Sequence, residues 1–96
     1  MSTNKKSFLF NGDMLNAVIT KYDDGTDAII LETADGVPYG TASVNPRGRV
    51  PSGFVAIKDY SENIGILEAL IYAQIVSKPE FYIRTGYVQV PVCKIL

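Results

Sequence analysis

The chain has 96 residues and a mass of 10.5 kDa, enough for one domain over residues 1–96 with one modest core. Hydrophobic residues at 47% exclude a disordered chain, and nine basic against ten acidic residues argue against nonspecific nucleic-acid binding. With no histidine and a single cysteine, Cys93, the sequence excludes a Ser–His or Cys–His pair, the standard zinc arrangements and an internal disulfide.

Met1 to Lys6 reads as a flexible polar N-terminus, with no apolar run of signal-peptide length behind it. Residues 7–58 read as strand-rich. Phe8 to Phe10 alternates, and Asn11-Gly12 is a hairpin signal. Leu15, Ala17 and Ile19 alternate with Asn16, Val18 and Thr20 to give a second strand. A turn at Asp23-Asp24-Gly25-Thr26 precedes a β-branched, apolar strand over Ala28 to Thr33, which suits the centre of a sheet. Asp35-Gly36 turns the chain into a fourth strand, Tyr39 to Val44, weakened by Gly40. Asn45 to Gly53 is a loop carrying Pro46, Gly48, Pro51 and Gly53, and Phe54 to Ile57 is a fifth strand.

Residues 61–76 read as a helix. Ile64, Leu67, Leu70, Ile71 and Ile75 fall on one helical face, and Ser61 or Asn63 has the side chain to cap it. Gly65 weakens the first turn, and Lys78-Pro79 ends the helix. Residues 80–94 hold a strand pair, Phe81 to Arg84 and Tyr87 to Val92, turned at Thr85-Gly86. Pro91 marks an edge or a bulge. The expected fold is α+β: a mostly antiparallel sheet of about six or seven short strands with one helix packed on one face. The longest apolar-rich stretch, Ile64 to Val76, contains Glu68 and Gln74 and is too short to cross a bilayer, so a soluble cytoplasmic protein is expected.

Four groups of residues bear on chemistry. Asp23, Asp24 and Asp27 lack the calcium-loop pattern and read as turn residues, so no metal or cofactor is expected. Asp59 and Glu62 suit the start of a helix, where negative charge is favoured, and Cys93 suits a buried strand. These readings leave no catalytic residue. The most individual segment is Pro46-Arg47-Gly48-Arg49-Val50-Pro51. Its guanidinium groups suit phosphate or carboxylate, and its glycine allows close backbone approach, although a solvated loop explains it as well. Arg84-Thr85-Gly86-Tyr87 joins an anion-binding group, a hydroxyl, a permissive glycine and an aromatic ring. On the strand reading Tyr82 shares a face with Arg84. Tyr with Arg is the usual composition of interface hot spots, and a core-edge position with the hydroxyl in water explains the tyrosines equally well.

Asp59-Tyr60-Ser61-Glu62-Asn63, Gly65-Ile66-Leu67-Glu68-Ala69-Leu70 and Arg84 through Cys93 resemble a domain-of-unknown-function family. Its members are short proteins from gut bacteria, their phages and mobile elements. The resemblance covers about the last forty residues well and the first half loosely. It implies a phage or mobile-element setting, with counter-defence as one role, and carries no catalytic residue. The expectation is a non-enzymatic binding protein. In one reading it is a homo-oligomer that sequesters a small anionic, nucleotide-like ligand at sites shared between subunits. Arg47, Gly48, Arg49, Tyr82, Arg84, Thr85, Gly86 and Tyr87 would line those sites. In the alternative reading the Tyr/Arg surface inhibits or adapts a host protein with no small ligand.

Overall fold

The computed structural model of the chain describes residues 4–96. A meander of β1 (Asn4–Phe10), β2 (Asp13–Lys21), β3 (Asp27–Thr33) and β4 (Pro38–Thr41) forms one sheet in that order. β5 (Ser43–Val44), β6 (Phe54–Ile57), β7 (Phe81–Thr85) and β8 (Val88–Lys94) form a second, in the order β5-β6-β8-β7. All the pairings are antiparallel. The fold is α+β and mostly β, but eight strands in two sheets replace the expected single sheet of six or seven. β1 also takes in Asn4 to Lys6, which the sequence reading placed in a flexible tail. The rest of that expectation lies outside the described residues.

The second sheet arises where one strand was expected. Tyr39 to Val44 does not run as a single strand: β4 stops at Thr41 and β5 starts at Ser43 in the other sheet. Ala42 sits fully buried at the crossing. Its N–H donates to the Ile29 carbonyl (2.9 Å), and its carbonyl accepts from the Lys58 N–H (2.8 Å), so one residue is bonded towards both sheets. The Ser43 hydroxyl then accepts from the Ile29 N–H (3.0 Å) and meets the Tyr22 hydroxyl (2.8 Å). The alternating pattern of Tyr39 to Val44 is the same whether one sheet or two supplies the partners, so the sequence cannot display the switch.

The main core lies between the sheets. Phe8, Leu15, Ala17, Ile29 and Leu31 supply one side, and Val55, Ile57 and Cys93 the other. A second, smaller cluster of Ala56, Ile83, Val90 and Val92 covers the opposite face of the β6–β8–β7 region, with Val50, Phe54 and Tyr60 packed on it. Pro91 is buried in β8, a strand with neighbours on both sides, rather than at a true edge. It is tolerated because the β6 ladder begins at Val92. One step beyond, the Ile57 carbonyl takes the Asp59 N–H (3.2 Å) in place of the N–H that proline lacks.

The helix is shorter than its periodicity implied. α1 spans Ile66–Tyr72, where residues 61–76 were expected, and Ser61–Asn63 forms a separate 3₁₀ turn. Gly65 at φ 95° stands at the break, a left-handed conformation that a helix cannot pass through. Neither Ser61 nor Asn63 caps α1. Asp59 does, its Oδ1 accepting from the N–H groups of Gly65 (3.0 Å) and Leu67 (3.0 Å). Asn63 is instead buried and donates to the Thr41 carbonyl (2.8 Å). Ile64, expected on the apolar face, precedes the break and is 70% exposed. At the other end Gln74 takes a left-handed φ of 61°. Its N–H donates to the Ile71 carbonyl (2.9 Å) and that of Ile75 to the Leu70 carbonyl (3.0 Å), which is the Schellman arrangement with glutamine where glycine is usual. No helix among the described residues is long and apolar enough to cross a membrane.

Asp27 is more than a turn residue. It opens β3, is buried, and ties the sheets together. Oδ1 accepts from Lys21 Nζ (2.7 Å) and Oδ2 from the Gly53 N–H (2.8 Å), at the entry to β6. Asp27→Ala orphans the Gly53 donor and the lysine together and should lower stability by about 2–3 kcal/mol. Lys21→Ala keeps the Gly53 bond but leaves Oδ1 without its partner, and should cost less, about 1 kcal/mol. Guanidinium unfolding of the two variants beside the wild type checks the difference.

Candidate functional site

The residues expected to form one site lie on a loop and a hairpin that meet where Arg49 reaches the Arg84 carbonyl, while Arg47 turns away. Pro46 is buried and fixes the base of the 45–53 loop. Asn45 Oδ1 accepts from the Arg47 N–H (3.1 Å), an Asx turn that holds Arg47 at φ 58°, with Gly48 following at 77°. This twist sends the two arginines apart. Arg47 lines an open cleft with Tyr22, Asp23, Asp24 and Asn45. Arg49 folds back across the loop, its Nε donating to the Pro46 carbonyl (3.1 Å) and its Nη1 to the Arg84 carbonyl (3.3 Å).

The cleft beside Arg47 is poorly suited to an anion. Asp23 and Asp24 both line it. Asp24 accepts from the Thr26 N–H (3.0 Å) and from Asn45 Nδ2 (3.1 Å). The Thr26 backbone bond, then the Thr26 side chain and Asn45, hold its carboxyl below the ordinary value of 3.8, so it stays ionised at neutral pH. Sequence reasoning missed Tyr22 and Asn45 as lining residues. An Asn directly before Pro was the available sign, since that pair favours turn initiation.

The β7–β8 hairpin holds the other residues. Thr85↔Val88 closes a two-residue turn, with Gly86 at φ 60° in its first central position and Tyr87 in its second. That is the type II′ geometry, which needs glycine first and leaves Tyr87 fully exposed at the tip. Gly86 and Gly48 therefore serve turns, with open space around each. Because Thr85↔Val88 is a hydrogen-bonded pair, alternation makes Arg84↔Gln89 and Tyr82↔Pro91 non-hydrogen-bonded pairs. The N–H and C=O groups of Tyr82 and Arg84 consequently point away from β8. β7 is the end strand of its sheet, so those groups form an open edge, on which Arg49 occupies the Arg84 carbonyl.

Tyr82 and Arg84 lie, by register, on the side of the sheet that carries Cys93 and Val55. At the edge strand that side is uncovered, and Tyr82 is 57% exposed. Arg84 is exposed and has no ion pair among the described residues. Thr85 is half-buried, and Phe81 on the other side stacks at a tilt on Phe54 with ring centroids 6.2 Å apart. Among the described residues no group of three or more His, Cys, Asp or Glu comes together as a metal site.

Comparisons of the chain with protein-family models, with curated proteins and with solved structures found no match.

Cys93 lies in the main core, where burial, and secondarily the Glu80 carboxylate, push its thiol up to about 11. At pH 8 roughly a thousandth of it is thiolate. A maleimide or disulfide reagent should leave the native protein unlabelled over a time in which the urea-unfolded chain reacts completely; rapid native labelling would contradict this burial.

Proposed function

We propose that this is a non-enzymatic protein-binding module that engages its partner through the β7–β8 hairpin, with Tyr82, Arg84 and Tyr87 as the principal contacts. The observation that carries this reading is the combination at β7 of exposed tyrosines, an arginine with no ion pair among the described residues, and an open strand edge. Arg and Tyr supply most interface hot spots, because each brings large area and directed polar groups. An open edge adds main-chain hydrogen bonding to an approaching strand.

The nucleotide-sequestering reading receives less support from the same geometry. Of the three arginines assigned to phosphate, Arg49 is engaged with two backbone carbonyls and Arg47 stands beside two carboxylates. Only Arg84 is left, and one exposed guanidinium gives a small anion little enclosure. The phage or mobile-element setting and a counter-defence role enter the proposal through the resemblance of the second half. A small binding protein in that setting acts by occupying a surface.

Affinity capture from host lysate with tagged wild type, Arg84→Ala and Tyr87→Ala tests the reading. One stoichiometric partner should be recovered by the wild type, and its affinity should fall at least about 30-fold in Arg84→Ala, the size of a hot-spot loss. Equal recovery by both variants would overturn the reading. Micromolar binding in a nucleotide panel, abolished in Arg84→Ala, would return the site to a small anionic ligand.

A further inference from the structure

Three turns of this protein place a side-chain carbonyl one residue before a glycine: Asn11-Gly12, Asp24-Gly25 and Asp35-Gly36. That pairing has a chemistry of its own. Glycine has no side chain to block the approach, so its backbone nitrogen can reach the Cγ of the preceding residue and close a five-membered imide. The three turns share the sequence signal and differ in what holds them.

At Asp24-Gly25 both reacting groups are tied. The Gly25 N–H donates to the Tyr22 carbonyl (2.9 Å), and the Asp24 carboxylate accepts from the Thr26 N–H (3.0 Å) and Asn45 Nδ2 (3.1 Å). At Asp35-Gly36 the Gly36 N–H donates to the Thr33 carbonyl (3.0 Å), and Asp35 Oδ1 accepts from the Thr33 hydroxyl (2.6 Å). The bonds from Thr26 and from Thr33 hold the two carboxyls below their ordinary 3.8. An ionised carboxylate must take a proton before it can lose water to a nitrogen nucleophile.

The Asn11-Gly12 turn has none of these ties. Asn11 at φ 52° and Gly12 at φ 81° form a type I′ turn closed by Phe10↔Asp13. Both residues are exposed, and the space around Gly12 is open. Neither the Gly12 N–H nor the Asn11 carboxamide has a hydrogen-bond partner among the described residues. The left-handed backbone of Asn11 keeps the Gly12 nitrogen out of line with Cγ, so ring closure proceeds from an opened turn. Opening releases one closing pair at the end of a hairpin, where local unfolding is cheapest. The other asparagines lack the glycine. Asn16 accepts from the Ser7 hydroxyl, Asn63 is buried on the Thr41 carbonyl, and Asn45 precedes a proline, which has no N–H.

We propose that Asn11 is a site of spontaneous modification, where the asparagine passes through a succinimide to aspartate and isoaspartate. The Gly12 nitrogen, its proton taken by hydroxide, bonds to Asn11 Cγ. The Cγ–Nδ2 bond breaks, and Nδ2 leaves as ammonia with a proton from water. Water then opens the imide: cleavage at Cγ gives aspartate, and cleavage at the main-chain carbonyl gives isoaspartate. In sum one water is consumed and one ammonia released, without oxidation or reduction. Both products add a negative charge to the turn. Isoaspartate also adds one carbon to the backbone, which a two-residue turn does not accommodate. The distortion falls on β1, whose Phe8 and Phe10 belong to the main core.

Incubation of the folded full chain in heavy-oxygen water at mildly alkaline pH, followed by peptide mapping in a mass spectrometer, tests this. Each imide that forms and reopens takes up one heavy oxygen, so Asn11 gains about 3 Da and either aspartate about 2 Da. Label should enter at Asn11, with under about a tenth as much at Asp24 and Asp35. In urea, which removes the hydrogen bonds, the excess at Asn11 over the aspartates should narrow about 10-fold. No label at Asn11 in the folded chain, equal label at either aspartate, or an excess that urea leaves unchanged each overturns the proposal.

Discussion

Ala42 sets the architecture. A chain of 96 residues cannot cover a single eight-stranded sheet on both faces, because most of its apolar surface would stay in water. Passing from one sheet to the other at a buried alanine folds the chain into two layers that share a core. Ala42 is fully buried at the crossing, and both its backbone polar groups are satisfied, one towards each sheet. Ser43 and Asp27 extend the junction with side-chain bonds: Ser43 to Ile29 and Tyr22, Asp27 to Lys21 and Gly53. Three points of the same corner are thus held by hydrogen bonds.

The same economy of hydrogen bonding decides which arginines are free to act. Arg49 is committed to carbonyls of its own loop and of β7, which leaves its guanidinium little to offer a ligand. Arg47 is turned by the Asn45 Asx turn towards acidic neighbours. Arg84 projects from an edge strand with exposed tyrosines near it. The molecule places its available cation, aromatic area and unsatisfied backbone along one strand. That makes β7 a surface with direction and register as well as chemistry.

Much of this was legible beforehand. The strand segments, the Asn11-Gly12 turn and the Tyr82/Arg84 face follow from alternation and turn residues, which are local. The missed features depend on distant contacts. Nothing local tells that Thr41 and Ser43 have different partners, that Asn63 reaches back to Thr41, or that Asp59 caps a helix starting seven residues later. The end of α1 was hidden for a different reason: Gln74 adopts the left-handed conformation that glycine would have advertised. The two arginine-bearing segments were singled out by residue type. That Arg47 parts from Arg49, which reaches β7, was set by the turn at Arg47–Gly48, which depends on the Asn45 side chain.

The division at Ala42 also divides the order in which the fold is assembled. Every pairing in the first sheet joins strands adjacent in sequence, with hairpin closures as short as Phe10↔Asp13. The second sheet requires Ala56 to find Val92, a closure of 36 residues that encloses α1 and β7. Loop-closure entropy and contact order both make the first sheet the fast element and the second the slow one. Until β8 docks, the β6 strand and the apolar inner face of the meander are open together, and the closing strand carries a proline at the point where its ladder to β6 ends. Commitment to the native state therefore waits on β8, and the edge strand β7 that pairs with it settles at the same late stage.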